Sequence, residues 1–347
     1  MAQRPVVTVL GSLNTDISLL VPHLPEPGET VLASAAATFG AGGKGANQAV
    51  AAARLGADVR MVGCCGDDGF GARLQAGLAA EGIGVTGVRA VPGVASGLAL
   101  ITVDPAGENS IAVAAGANGH AGDAEVAAAF AQPCDVLVLS AEIPAGVLGA
   151  ALRRARAGGV RTVLNLAPVP GGAAGLLAER PDWLVVNAQE GAALAGRPYA
   201  APADEAALGR DVAAGLAAGL GGGHVVVTLG ASGAVLAGPS GTSAEPGFRV
   251  TAVDTVGAGD AFVGALAVAL ASGLDPAAAV TAACAAGAAA ATRRGAQAAL
   301  PRPADVLAAT GFSWPARAVH AGGRGHGGAG QRPSGQSPLP CGGSSRA

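Results

Sequence analysis

Two glycine-rich stretches carry the residue types that handle anions and hydroxyl groups. Residues 254–266 read DTVGAGDAFVGAL. Gly257, Ala258 and Gly259 are small enough for the chain to turn sharply into a helix. Their backbone N–H groups can then converge on an anion at the positive end of that helix. Asp260 follows in the first helical turn. A carboxylate there repels a phosphate that is merely bound. It makes sense as a general base that takes a proton from an attacking hydroxyl, while the neighbouring amides steady charge on a phosphoryl group in transfer. Taken alone, the motif is more simply an Asp helix cap after a glycine turn.

The second stretch, FGAGGKGANQAVA (39–51), holds the only lysine of the chain, Lys44, in a glycine loop ahead of a helical run. A Walker A loop does not fit, because Thr38 stands at its first Gly and Gly45 at its Ser/Thr. Gly40, Gly42 and Gly45 formally satisfy GxGxxG, with Asp58 downstream, which raises an NAD-dependent oxidoreductase as a rival. The preceding ASAAATF is too weak for the strand that such a fingerprint must follow.

These residues must be positioned by a larger frame. Short β-branched runs alternate with Ala-rich stretches of helical length, the pattern of an α/β fold with parallel strands. The expected strands are VVTVL (6–10), DVRMV (58–62), DVLVLS (135–140), RTVL (161–164), WLVV (183–186) and HVVVT (224–228). Each ends in polar residues: Asn14 and Asp16, Asp67 and Asp68, Glu142, Asn165, Asn187 with Glu190, and Thr228 with Gly230. Ligands of open parallel sheets bind beyond the carboxyl ends of the strands, so these residues form a polar rim along one edge. Residues 17–39 and 97–118 read as hairpins with no helix between their strands, a small antiparallel sheet placed as a lid over the rim. A third hairpin is expected over 233–253, and helices over about 261–272, 276–292 and 303–309.

Composition sets the outer limits. The 347 residues suffice for one large α/β domain with an embellishment or for two ordinary ones. Aromatic residues are only 3%, so Ala, Val and Leu must fill the core. A net charge of −3 gives no reason to expect nucleic acid or an anionic membrane as partner. The first apolar run is too short for a signal peptide and no segment has the length of a membrane span, so a cytoplasmic protein is expected. The five cysteines (Cys64, Cys65, Cys134, Cys284, Cys341) lack CxxC or Cys/His spacing and read as free thiols. Five scattered histidines give no support to a metallohydrolase. From residue 316 the chain has neither hydrophobic period nor acidic residue and is expected to be disordered.

Ten motifs in one order resemble the ribokinase (PfkB) family of carbohydrate kinases. They are GSLNTD (11–16), PGET (27–30), AGGKGANQAVAAARLGA (41–57), GCCGDD (63–68), AGENSIAVAAGAN (106–118), LNLAP (164–168), NAQE (187–190), TLGASG (228–233), DTVGAGDAFVGAL and TRRGAQ (292–297). The resemblance implies a three-layer sandwich with a mostly parallel central sheet and a β lid. Residues 1–310 would form the kinase domain, with lid segments at about 13–40 and 96–118, and residues 311–347 a Gly/Pro/Ser/Arg-rich tail.

The resemblance further implies transfer of a phosphoryl group from ATP to the O5 hydroxyl of D-ribose, with Asp260 as base and the 257–259 turn as anion hole. Asn14, Asp16, Gly42, Gly43, Lys44, Asn47 and Glu142 would bind the sugar. Asn187, Thr228, Gly230, Gly233, Gly259 and Cys284 would line the ATP groove, and Glu190 would hold Mg²⁺ through water. Asp254, Val256, Ala291, Arg294, Ala296 and Ala299 would surround K⁺. Ala299 departs from the pattern, since members often carry a serine ligand there, and Cys284 stands near the adenine where a polar side chain is common. A homodimer through the lid is also implied. Fructose, adenosine or another nucleoside remain alternative acceptors, and a non-catalytic sugar-binding regulator an alternative role.

Overall fold

The strongest β-branched runs form strands, and the helices between them cover both faces of the sheet they build. The computed structural model describes residues 4–106, 108–197, 199 and 205–315. Strand β1 (Val6–Leu10) opens the body. The chain then leaves it for β2 (Asn14–Leu20) and β3 (Thr38–Gly42) and returns through α1 (Lys44–Arg54) to β4 (Asp58–Gly66). Helix α2 (Gly69–Ala80) and β5 (Gly84–Val91) precede a second excursion, β6 (Gly97–Val103) and β7 (Asn109–Ala114). Helix α3 (Asp123–Ala129) leads to β8 (Val136–Ser140), α4 (Ala145–Gly158), β9 (Arg161–Asn165) and α5 (Ala173–Ala178). Next come β10 (Trp183–Asn187), α6 (Ala188–Leu194), α7 (Glu205–Leu220) and β11 (His224–Thr228). A hairpin of β12 (Gly233–Gly238) and β13 (Gly241–Pro246) is followed by α8 (Ala258–Ala271), α9 (Pro276–Ala290), α10 (Ala296–Ala299) and α11 (Pro303–Thr310).

The main sheet has nine strands in the order β13-β12-β11-β10-β9-β8-β1-β4-β5. Pairing is parallel from β5 to β11, and the two pairs beyond it, β11–β12 and β12–β13, are antiparallel. Alternation along the strands sorts the core into two layers. On β8, Val136 and Val138 join the cluster built with α1, α8 and α9, whereas Leu137 and Leu139 join the one built with α4. The architecture is therefore the expected three-layer α/β sandwich. No helix among the described residues is long and apolar enough to cross a membrane. Cys64, Cys65, Cys134 and Cys284 are free, and Cys341 lies outside the described residues.

The lid is a separate four-stranded sheet, β3-β2-β6-β7. Its outer pairs are antiparallel, as expected of hairpins, but its central pair, β2 with β6, is parallel. The reason is chain direction. Strand β2 continues from the carboxyl end of β1 and β6 from that of β5, so both leave the same sheet edge in the same sense. The 17–39 segment is a wide arch rather than a tight hairpin, with residues 21–37 between β2 and β3. Past residue 310, Phe312 and Trp314 pack against the core, so the packed body runs slightly beyond the expected boundary. The segment 316–347 lies outside the described residues.

One packing contact places the chemistry. Helix α8 is buried from Asp260 to Leu270 and lies against α1. At the crossing, a Cβ on Gly264 would sit 2.6 Å from the Ala51 Cβ and 2.8 Å from the Gln48 carbonyl oxygen. Absence of a side chain there brings Asp260, one turn earlier on α8, against α1. We expect Gly264→Ala to destabilise the protein by about 1–3 kcal/mol through overpacking. Gly215→Ala, on the open face of α7 where nothing lies within 4 Å, should stabilise by about 0.5–1 kcal/mol. Denaturant midpoints of the two variants read the contrast.

Candidate active site

Helix α8 begins at Gly257, whose φ of 79° is a left-handed conformation suited to glycine. Of the amides in this turn, that of Ala258 is spent on the Thr255 carbonyl at 3.2 Å. Those of Gly257, Gly259 and Asp260 find no acceptor among the described residues, so Asp260 takes the place of Ala258 in the expected set. They point from a helix start, where the dipole favours an anion.

Asp260 is only 8% exposed. Its Oδ2 accepts from Asn47 Nδ2 at 2.8 Å and its Oδ1 from Gln48 Nε2 at 3.1 Å. Burial pushes its pKa up; the nearby Lys44 ammonium and the two amide donors offset this only in part, and the net shift is upward. The Asn47 Oδ1 beside this carboxylate is buried without a hydrogen-bond partner. An incoming hydroxyl can satisfy it.

The glycine loop closes around this point. Gly43, with φ 86°, caps α1, and a Cβ there would meet the Asn14 amide nitrogen at 2.7 Å. The Asp16 carboxylate lies directly over Gly42, where any side chain would overlap it. Glu142 Oε2 accepts from Ser12 Oγ at 2.6 Å and from the Lys44 amide at 3.1 Å, so this carboxylate ties the loop to the end of β1. Asn14 Oδ1 accepts from Asn118 Nδ2 at 2.7 Å, which turns the Asn14 amino group outward. Burial alone would strip charge from Lys44; the carboxylates of Asp260, Glu142 and Glu190 outweigh it and raise its pKa.

Across Lys44, a cleft of about 200 Å³ opens at the carboxyl ends of β9, β10 and β11. Lys44, Asn187, Glu190, Thr228, Gly257, Gly259 and Asp260 all line it, so Lys44 and Asp260 of the expected sugar set face the expected nucleotide residues, while Asn14, Asp16, Gly42, Gly43, Asn47 and Glu142 lie outside its lining. A larger depression, about 940 Å³, lies around Arg161, Trp183 and His224 at the opposite edge and holds none of the expected residues. Asn187 and Glu190 form a reciprocal cap on α6: Asn187 Oδ1 accepts from the Glu190 amide, and Glu190 Oε2 from the Asn187 amide, each at 2.8 Å. The other oxygen of Glu190 remains for the cleft. One carboxylate oxygen suits a Mg²⁺ that keeps most of its water and bonds phosphate oxygens.

Several expected contacts fall elsewhere. Cys284 packs in the α8–α9 core and burial pushes its thiol up to about 12, so it is an inert core residue. Gly233 is needed for backbone packing, since a Cβ there would lie 2.2 Å from the Glu245 carbonyl oxygen, whereas Gly230 is open. In the cation region, Asp254 accepts from the Val256 amide at 3.0 Å and the Gly295 amide at 2.9 Å. It retains lone pairs for a cation. The Ala291 carbonyl already accepts two amides, from Val253 and Asp254, and Ala299 is fully buried in α10 with no side-chain oxygen. Arg294 is exposed and Ala296 packs beside Gly257, so only Asp254 and Val256 fit the expected K⁺ set well.

Three residues that lie within the quoted motifs but were assigned no role also belong here. Gln48, Asn118 and Ser12 each fix an expected site residue. A glutamine within the apolar run of α1 was the one visible sign of the first. The glycine loop itself follows a lid strand, β3, and not a strand of the main sheet, which removes the dinucleotide fingerprint.

Comparison with known proteins agrees with this geometry. The family model for pfkB family carbohydrate kinases matches residues 5–303. The ribokinase of Haemophilus influenzae is 37% identical over 310 residues, covering 88% of this chain and 98% of that protein. The crystal structure of a Thermotoga maritima ribokinase is 33% identical with a TM-score of 0.77, over 88% of this chain and 99% of that one. An Arabidopsis thaliana ribokinase complexed with ribose and ATP is 28% identical with a TM-score of 0.73, over 88% and 98% of the two chains.

The electrostatics give a direct test. Burial, then the charges of Glu142 and Asp260, push Asp16 from 3.8 up to about 6. The folded protein thus holds this proton more tightly than the unfolded chain, and Asp16 withdraws stability as pH rises from about 4 to about 6. Asp16→Asn should raise Tm at pH 7.5 and leave it unchanged near pH 3.5. A carboxyl NMR titration should place Asp16 near 6 and show it falling in Glu142→Gln.

Proposed function

Since the chain belongs to the pfkB family of carbohydrate kinases, and is an ATP-dependent sugar kinase, we propose that it is a ribokinase transferring the γ-phosphoryl group of ATP to the O5 hydroxyl of D-ribose. The observation that carries the reading is the placement of Asp260, buried between a hydroxyl-binding loop and the open amides at the start of α8. The GSLNTD and GGKGANQ motifs together favour ribose over fructose or adenosine as acceptor.

Asn14 offers its amino group to a sugar hydroxyl, and Asp16 accepts two hydroxyl protons of a vicinal diol. Asn47 Oδ1 accepts another. Asp260 takes the proton of the attacking hydroxyl, and its raised proton affinity suits that exchange near neutral pH. The open amides of Gly257, Gly259 and Asp260 meet charge on the phosphoryl oxygens. Lys44 lies between the two halves and compensates the carboxylates around it. Mg²⁺, held through water by Glu190 beside Asn187, would neutralise phosphate charge when bound. A monovalent cation would bind at Asp254 and the Val256 carbonyl, with fewer ligands than the family pattern supplies.

We place the enzyme in the cytoplasm, where ATP is held. A homodimer through the lid is supported by its unpaired edges and by Leu20, Leu100, Ile111 and Val113, each about half exposed. Sedimentation velocity measures that association.

ADP release on adding D-ribose is the primary assay. A panel with fructose and adenosine reads the acceptor, and K⁺ against Na⁺ reads the cation. Asp260→Asn should lower kcat by about 10²–10⁴-fold; near wild-type turnover would refute the base. Lys44→Ala should raise KM for the sugar, and an effect confined to KM for ATP would return the loop to phosphate binding.

A further inference from the structure

Two buried amides behind the base have no role in the mechanism above. Gln48 is fully buried on α1 and Asn165 is 8% exposed at the end of β9. Asn165 Nδ2 donates to the Val185 carbonyl at 3.2 Å, and Gln48 Nε2 donates both to Asn165 Oδ1 at 3.0 Å and to Asp260 Oδ1 at 3.1 Å. The direction of every bond in this chain follows from its far end. A backbone carbonyl can only accept, so Asn165 must turn its amino group to Val185 and its oxygen to Gln48. That oxygen also only accepts, so Gln48 must present its amino group, whose second hydrogen points at Asp260. A reversed Gln48 would set its oxygen against two acceptors.

Resting on the reading of Asp260 as base, we propose that Gln48 and Asn165 are positioning residues whose one-way relay reserves Asp260 Oδ1 as an acceptor and makes Oδ2 the oxygen that takes the substrate proton. A proton on Oδ1 would face an N–H that cannot accept it. The Oδ2 side is different. Both amides have an oxygen without a protein partner, but the Gln48 amino group is also held by Asn165, whereas that of Asn47 donates to Asp260 alone, so no protein group prevents the Asn47 amide from reversing when Oδ2 becomes a hydroxyl. The plane of the carboxylate is held by two donors on α1, Asn47 at Oδ2 and Gln48 at Oδ1, the second itself anchored to Asn165 on β9.

The charged groups around Asp260 are Lys44 and Glu142, with Asp16 behind them on the lid. Helix α9, packed on the other flank of α8, carries only the neutral thiol of Cys284 among ionisable groups. A shift in the titration of the base can therefore be traced to the relay if those residues are untouched.

The experiment is the pH profile of kcat/KM for the sugar from pH 5 to 9, with Tm measured on each variant. Gln48→Met removes the donor at nearly constant volume. Asn165→Asp cannot donate to Val185 and adds negative charge one amide away from the base. Both should move the acid limb up by about one pH unit, with rates approaching wild type at high pH. Gln48→Glu, which gives an Oδ1 proton an acceptor, should move it further. An acid limb unmoved in both Gln48→Met and Asn165→Asp, with activity lost evenly across pH, would overturn the relay and leave Asp260 as base. An acid limb that persists unchanged in the residual activity of Asp260→Asn would overturn the base itself.

Discussion

The contact between α1 and α8 governs the rest of the site. A missing side chain at Gly264 lets the two helices approach until Asp260 is sealed against Asn47 and Gln48. Burial then strengthens every hydrogen bond to that carboxylate and raises its affinity for a proton. The same approach sets the open amides of the 257–260 turn beside the loop that starts α1. The proposed hydroxyl-binding and phosphoryl-binding groups thus belong to one helix pair, joined at their N-terminal ends.

Charge in this region is deliberately unbalanced. Asp16, Glu142, Glu190 and Asp260 surround one cation, Lys44, and burial above all pushes up three of them, Asp16, Glu190 and Asp260. Hydroxyl groups donate hydrogen bonds to carboxylates, so the proposed polyol would offset part of the cost of holding these carboxylates together. A compact ammonium can stand among several carboxylates without the planar geometry a guanidinium demands. That gives a physical reason for the sole lysine of an arginine-using chain to lie here.

Much of the fold was legible because β-branched runs, turns and Ala-rich helices agree along the chain. Strand β5 and helix α2 were not, because glycines interrupt both and blur their periods. Parallel pairing of β2 and β6 depends on where β1 and β5 end, which local sequence does not encode. At the site, Asp260, Asn47, Lys44, Asn187 and Glu190 were legible as motif residues and meet in the structure. Gln48 was hidden because its role depends on partners that lie 117 and 212 residues away. Cys284 and Gly233 misled for the opposite reason: motif position suggested a ligand contact, while packing against α8 and β13 accounts for each.

Asn118 joins the roots of both lid excursions to the body, bonding the Leu13 amide at 2.9 Å, the Leu13 carbonyl at 3.1 Å and the Asn14 side chain. Gly97, where β6 begins, closes so tightly on this junction that a Cβ would overlap the Asn14 and Asn118 side chains. A strand advances about 3.3 Å per residue, so Asp16 stands about 7 Å from this pin and Leu20 about 20 Å. If the lid turns about this pin, it is a lever with the Asp16 carboxylate, proposed to bind the sugar, near its fulcrum. A rotation that swings the tip of β2 by about 6 Å displaces Asp16 by about 2 Å, several times the spread of about 0.5 Å that hydrogen-bond lengths allow. Admission of a molecule and the grip upon it are thereby set by different lengths of one arm.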